Sequence, residues 1–315
     1  MQRMVLQRII IGLVTLWVVS VLVFIMTSML PGDVAAIVLG QSATPETLAA
    51  YRAANGLDQP LIFQYFGWLG NMVTGDLGIS KAGGAQISDL ISGRLGNTMF
   101  LAGLVAIISV PISVGLGLMA AMYPGTWIDR SLTFGTLALI SVPDFFIATF
   151  AVLILAVQLG WLPAIANVAP ENTFWQMARG MAMPVIVLVI VVSAQMIRMT
   201  RAGILNVMNS PYIEMAILKG VKKKRIILRH AFFNTIGPIV NVIALNLAYL
   251  ISGVVIVETI FSYPGLAKLM IDGVQTRDLP LVQATAMIFC GTYVVLIILA
   301  DVAAILANPR LRNPK

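Results

Sequence analysis

The side chains that could do covalent or metal chemistry are few in this 315-residue chain, and they are not grouped. His230 is its one histidine and Cys290 its one cysteine, so neither an internal disulfide nor a Cys/His metal spacing can be built. The sequence contains no G-x-x-x-x-G-K-[ST] phosphate loop, no H-E-x-x-H and no G-x-S-x-G. No catalytic residue, bound cofactor or metal is therefore expected. Two carboxylates stand inside apolar runs: Asp144, in Ser141-Val142-Pro143-Asp144-Phe145, and Asp301. A charge in such surroundings needs a partner or a watery cavity. Asp144 either lines a path that favours cationic or amino-bearing solutes, or hydrogen-bonds to a neighbouring subunit. Asp301 is expected to be structural. Asn241, Asn246 and Ser252, with Ser193 and Gln195, are polar groups of the kind that glue apolar helices together or line a path between them.

These residues sit in a chain that is 59% hydrophobic and only 10% charged, with mean hydropathy +0.94. A water-exposed surface needs roughly 25% charged residues, so most of this surface must face lipid. A membrane helix takes about 20 apolar residues at ~1.5 Å rise. Six runs qualify: 9–30, 97–123, 132–159, 182–200, 236–257 and 281–307, the fourth diluted by Pro184, Ser193 and Gln195. The first exceeds the 7–15 residues of a signal-peptide core and is read as a retained helix.

Charge orients the set. With the N-terminus in the cytoplasm, the inner segments hold Arg3, Arg8, Arg130, Arg198, Arg201, Lys219, Lys222 to Arg225, Arg229, Arg310, Arg312 and Lys315. The net charge of +7 is thus explained by an inner-face bias, and Lys222-Lys223-Lys224-Arg225 does not call for a nucleic-acid partner. The expected fold is an all-α membrane protein of six transmembrane helices with both termini cytoplasmic. Its parts are an N-terminal segment and first helix at 1–30, a helical extracytoplasmic cap at 31–96, and a core at 97–315 holding a cytoplasmic loop at 201–235. In the cap, Thr44-Pro45-Glu46 starts a short helix that ends near Asn55-Gly56, and a second covers 60–72. On the same side, 258–280 contains Tyr263-Pro264-Gly265 and then an amphipathic segment.

The 201–235 loop carries a pattern of its own. Ser210 and Pro211 open a short helix, with Glu214 positioned for a capping box. Ile213, Ala216 and Ile217 share a face, and Gly220 permits a tight break before a second helix. Such a pair can dock in a partner's groove or lie as a basic loop on lipid headgroups. The residues alone leave both open.

The segment resembles the "EAA…G" coupling loop of ABC importer permeases, with Glu214, Ala216 and Gly220 at its spacing, Pro238 downstream, and Met215 in place of the usual alanine. The resemblance runs over nearly the whole chain, toward the dipeptide/oligopeptide/nickel importer subfamily. It includes Leu30-Pro31-Gly32-Asp33, Gly56-Leu57-Asp58-Gln59-Pro60, Gly75-Asp76-Leu77-Gly78, Gly160-Trp161-Leu162-Pro163, Arg198-Met199-Thr200-Arg201, the Glu258 to Leu266 run and Asn308-Pro309-Arg310-Leu311-Arg312.

That resemblance implies the type I importer permease fold in a bacterial inner membrane. It implies four kinds of partner: a second, related permease in a heterodimer, two ATP-binding subunits that carry ATP and Mg, an extracytoplasmic solute-binding protein, and the lipid bilayer. Glu214, Ala216, Ile217 and Gly220 would couple to the ATPase, and Asp144, Asn241, Asn246 and Ser252 would lie on the path. Asp58, Asp76, Tyr263 and Pro264 would meet the binding protein. Peptides are the leading cargo. A secondary carrier or a non-transporting scaffold would share the hydropathy, but neither gives a reason for the coupling spacing.

Overall fold

The computed structural model describes residues 2–29, 34–39, 43–54, 56–169 and 171–307, and among them the regular structure is helical apart from one isolated β-bridge. Leu30-Pro31-Gly32-Asp33, Asn55 and Asn308-Pro309-Arg310-Leu311-Arg312 lie outside the described residues. Five helices are long and apolar enough to cross a membrane, and a bent pair makes a sixth if it is counted as one span.

The first helix, α1 (Gln2–Ser28), is followed by three short ones: α2 (Val34–Leu39), α3 (Pro45–Ala54) and α4 (Leu61–Thr74). The α3 start follows its sequence signal, since the Thr44 hydroxyl accepts from the Thr47 amide at 3.3 Å. α4 stops at Gly75, whose φ of 86° ends the helix in the left-handed region. α5 (Ile87–Met122) begins ten residues before the expected apolar run, because Ile87 and Ile91 are buried against Leu266, Leu269, Leu281 and Ala284.

The expected third span, 132–159, is not one rod. It divides into α6 (Trp127–Ser141) and α7 (Asp144–Ala151, continued by π-helical turns to Gln158), bent by 102°. Pro143 supplies the reason. It lacks an N–H, its ring clashes with the preceding turn, and it drives Val142 into extended backbone at φ −98°, ψ 128°.

The expected fourth span is in fact a long central rod of 35 residues, α8 (Phe174–Met208). A reciprocal capping box between Thr173 and Gln176 starts it, and it packs against α5, α6 and α11. Gly117 on α5 lets the two backbones close up, since a Cβ there would stand 2.7 Å from Thr200 Cβ on α8. Then follow α9 (Pro211–Leu218), α10 (Lys223–Arg225, continued by π-helical turns to Ala231), α11 (Phe232–Ile260), α12 (Leu266–Gln275) and α13 (Leu279–Ala307).

α1 packs along α13, with a polar contact toward each end of the pair. Arg8 Nη1 stands 3.2 Å from Asp301 Oδ2, an ion pair whose alignment falls short of a hydrogen bond. Toward the other end Gln283 Nε2 donates to Thr27 Oγ1 at 2.6 Å. The two contacts are separated by about 28 Å of helix, close to the ~30 Å of a hydrocarbon core. Asp301 is therefore structural here, tied to the first helix.

Candidate functional site

The 201–235 loop is built around one turn. Gly220 sits at φ +74°; its amide donates to Ile217 O at 2.9 Å, and Val221 N donates to Ala216 O at 3.1 Å. Together these are a Schellman motif, which satisfies the last carbonyls of α9 and needs a left-handed residue at its third corner. Glycine fills that corner without steric cost. The capping box expected at Ser210 does not form. Its hydroxyl turns back and donates to Val207 O at 2.5 Å, closing α8 instead, and Glu214 stays exposed.

α9 has two faces. Ile213 is fully buried with Ala121, Ile204, Ile226, Ile227 and Ala231, and Ala216 packs partly into the same cluster. α9 thus rests on the ends of α5 and α8 and on the turns that lead into α11. Ile217 does not share that burial. Val221, folded back by the glycine turn, packs there, and Ile217 stands exposed with Tyr212, Met215 and Leu218, the last at 75%. Four apolar side chains of a short helix are thus left exposed, followed by exposed Lys222, Lys223, Lys224 and Arg225. α9 is held to the ends of the long helices on one side and exposed to solvent on the other.

A second connection leads from the same region to the bent span. Asp129, in the first turn of α6 and 4% exposed, accepts from Arg201 of α8 and from the Gly125 amide at 2.9 Å. Sequence reasoning placed Arg201 by its charge and by the Arg198 to Arg201 segment of the resemblance, and missed Asp129; a carboxylate at the mouth of an apolar run was the available signal.

The path candidates separate. Asp144, half-buried, opens α7 at the bend and accepts a hydrogen bond from the Tyr249 hydroxyl of α11, a partner sequence reasoning did not name. Asn241 is exposed on α11. The Asn246 amide is spent on its own helix, donating to Val242 O at 2.8 Å. Ser252 lies within α11, and its side chain is outside the described residues.

The outer candidates also separate. Asp58 and Asp76 are exposed, and Asp76 Oδ1 accepts from the Gly78 amide at 3.1 Å. Tyr263 is fully buried, its hydroxyl donating to Asn97 O at 2.8 Å, while Asn97 Nδ2 donates to Pro264 O at 2.8 Å. Burial, with the Glu258 carboxylate second, pushes the Tyr263 hydroxyl up from its ordinary range. Tyr263 and Pro264 thus latch the 258–280 segment to α5. Behind them Glu258, fully buried, accepts from Thr98 Oγ1 at 2.6 Å and from the Ala267 and Lys268 amides at 2.9 and 3.1 Å. A carboxylate at these amides caps α12 and favours its N-terminus.

Residues 113–313 match the family described as binding-protein-dependent transport system inner membrane component, and residues 1–101 match the N-terminal region of such membrane components. A Brucella abortus (strain 2308) protein named for a peptide transport system permease is 34% identical over 312 residues, 99% of each chain. The glutathione transport system permease protein GsiC of Shigella flexneri serotype 5b (strain 8401) is 33% identical over 95% of each chain. The "Probable peptide ABC transporter permease protein y4tP" of Sinorhizobium fredii (strain NBRC 101917 / NGR234) is 32% identical over 98% of each. The chain belongs to the family of binding-protein-dependent transport system inner membrane components.

Proposed function

We propose that this chain is one permease subunit of an ATP-driven importer of peptides or similar small solutes. It spans the inner membrane six times with both termini in the cytoplasm. The bent pair counts as one crossing because the chain meets one end of α8 at the start of the pair and the other end nine residues beyond its close at Gln158. Asp129 meets Arg201 at one end, and the Asn167 backbone packs against Gly180 about six turns away, or roughly 30 Å. The four crossings that precede α9 (α1, α5, the bent pair and α8) put it on the same side as the N-terminus, and the basic bias of those segments puts that side in the cytoplasm.

The observation that carries the function is α9 itself: a helix seated on α5, α8 and the approach to α11 by Ile213 and Ala216, with an apolar strip free on its other side. Closure of an ATP-binding subunit on that strip moves α9, and Ile213 and the Gly220 turn pass the motion to the membrane helices. A second, related permease completes the path, near which Asp144 and Asn241 lie. ATP and Mg are held by the partner subunits, so this chain does no hydrolysis. A solute-binding protein delivers cargo outside, meeting exposed residues such as Asp58 and Asp76; Tyr263, being buried, serves the fold of that face.

Cross-linking tests the reading. In a Cys290→Ala background a single cysteine replacing Leu218 should join an ATPase subunit in intact membranes, and Gly220→Asp should separate ATPase stimulation from uptake without preventing insertion. Solute uptake that persists without ATP, with no ATPase cross-link from Leu218, would overturn it.

A further inference from the structure

α4 reads LIFQYFGWLGNMVT and carries no charged residue over its fourteen positions. A helix of a water-facing cap keeps one charged face, and one that is apolar nearly all round is buried in protein or in lipid. α4 is not buried in this chain. Leu61, Ile62, Phe63, Phe66 and Val73 are exposed, Phe63 at 64% and Val73 at 79%, while the inner side holds Tyr65 and Trp68.

The inner side shows how deep the helix sits. The Tyr65 hydroxyl and the Ser20 hydroxyl of α1 share a buried hydrogen bond at 2.8 Å, and Phe24 packs edge-on to the Tyr65 ring at 5.5 Å and against Trp68 at 5.7 Å. Ser20 lies seven residues inward from Thr27, which marks one polar boundary of the α1–α13 pair. That is about 10 Å along the helix, the depth to which interfacial helices sink past the headgroups. Trp17, one turn further in on α1, is exposed and continues the apolar surface. A tyrosine hydroxyl at that depth must be paired, and Ser20 pairs it.

We propose that α4 lies within the outer leaflet, and that lipid acyl chains cover its Leu61, Ile62, Phe63 and Phe66 face. The expected cap is then divided. Part of 31–96 faces water, and α4 is a membrane-embedded brace against α1, bracketed by the exposed carboxylates Asp58 and Asp76. The proposal takes from the proposed function only that α1 spans the bilayer with its N-terminus inside.

The test uses the whole transporter in proteoliposomes, with Cys290→Ala and single cysteines replacing Phe63, Phe66, Trp17 or Asp76, each carrying an environment-sensitive fluorophore. Labels at 63 and 66 should lose most of their emission to doxyl-labelled phosphatidylcholine and little to iodide, as the label at 17 should, with the reverse at 76. Iodide quenching at 63 and 66 like that at 76 overturns the proposal in favour of a water-facing cap. Protection from both quenchers overturns it in favour of a protein partner. If position 17 is also insensitive to the lipid quencher, the α1 span fails and the proposal with it; if only 63 and 66 are insensitive, the proposal fails alone.

Discussion

Arg201 and Asp129 are joined by two parallel hydrogen bonds, Nε to Oδ1 at 2.5 Å and Nη2 to Oδ2 at 2.9 Å, across 72 positions of sequence. The pair ties the first turn of α6 to α8 about two turns before α8 ends at Met208. Fork-on-carboxylate geometry holds orientation as well as charge. The pair therefore tethers the start of the bent span to the α9 end of α8.

Breaking this pair should be costly. Asp129→Ala leaves a guanidinium without its counter-charge, and we expect a loss of about 3 kcal/mol, the low end for removing one partner of a buried pair. The low end applies because the Arg201 side chain is 28% exposed. Unfolding of the purified transporter in detergent measures it. Arg201→Lys should lose less, keeping charge but not the fork, and the D129R/R201D exchange should recover part of the loss.

Gly220→Ala places a Cβ at φ +74°, a strain of about 1–2 kcal/mol. No neighbour lies within 4 Å of that Cβ, so the effect is conformational, not steric crowding. Insertion should stay normal and uptake should fall. Gly220→Asn, whose side chain tolerates the left-handed region, should retain more activity than Ala. Equal uptake by Ala and wild type would show that the turn does not govern coupling.

Asp144 and Tyr249 join α7 to α11 at the bend. If Asp144 faces cargo, Asp144→Asn should lower uptake of peptides with a free amino group and spare N-acetylated ones. Tyr249→Phe removes the hydroxyl alone and should cost about 1 kcal/mol of stability. Uptake by Asp144→Asn that is unchanged for both peptide types would remove it from the path.

Gly265 has no room for a side chain, because a Cβ there would run into the Glu258 carboxylate. Gly265→Ala should therefore displace α12 from α5. Glu258→Ala should do so by another route, stripping Thr98 and two α12 amides of their acceptor at about 1–3 kcal/mol per buried donor left unpaired. Trypsin cleavage at Lys268 from the outer side should rise in both variants and stay low in wild type.

Composition and periodicity were enough to show an all-helical chain with long apolar helices and a short helix ending at Gly220. An apolar run of about 20 residues has few alternatives in lipid, and Pro211 and Gly220 mark the ends of α9 by local backbone geometry. The Schellman turn is legible in the same way, since it is set within six residues of sequence. Pro143 is visible as a weak point, but the 102° bend is not, since its size depends on what α6 and α7 pack against. Likewise helical periodicity puts Ile213, Ala216 and Ile217 on one face of α9, but only the packing decides that Ile213 and Ala216 turn inward with Val221 while Ile217 stays exposed.

What the chain's order of residues could not reveal is which distant polar groups meet. Asp129 with Arg201, Asp144 with Tyr249, Glu258 with Thr98, and Ser20 with Tyr65 are each more than 40 positions apart. Lipid dictates that these groups be paired and says nothing about the partner. The partner follows from how the helices cross, and the crossings follow from side-chain packing, such as Gly117 against Thr200, that no local stretch encodes.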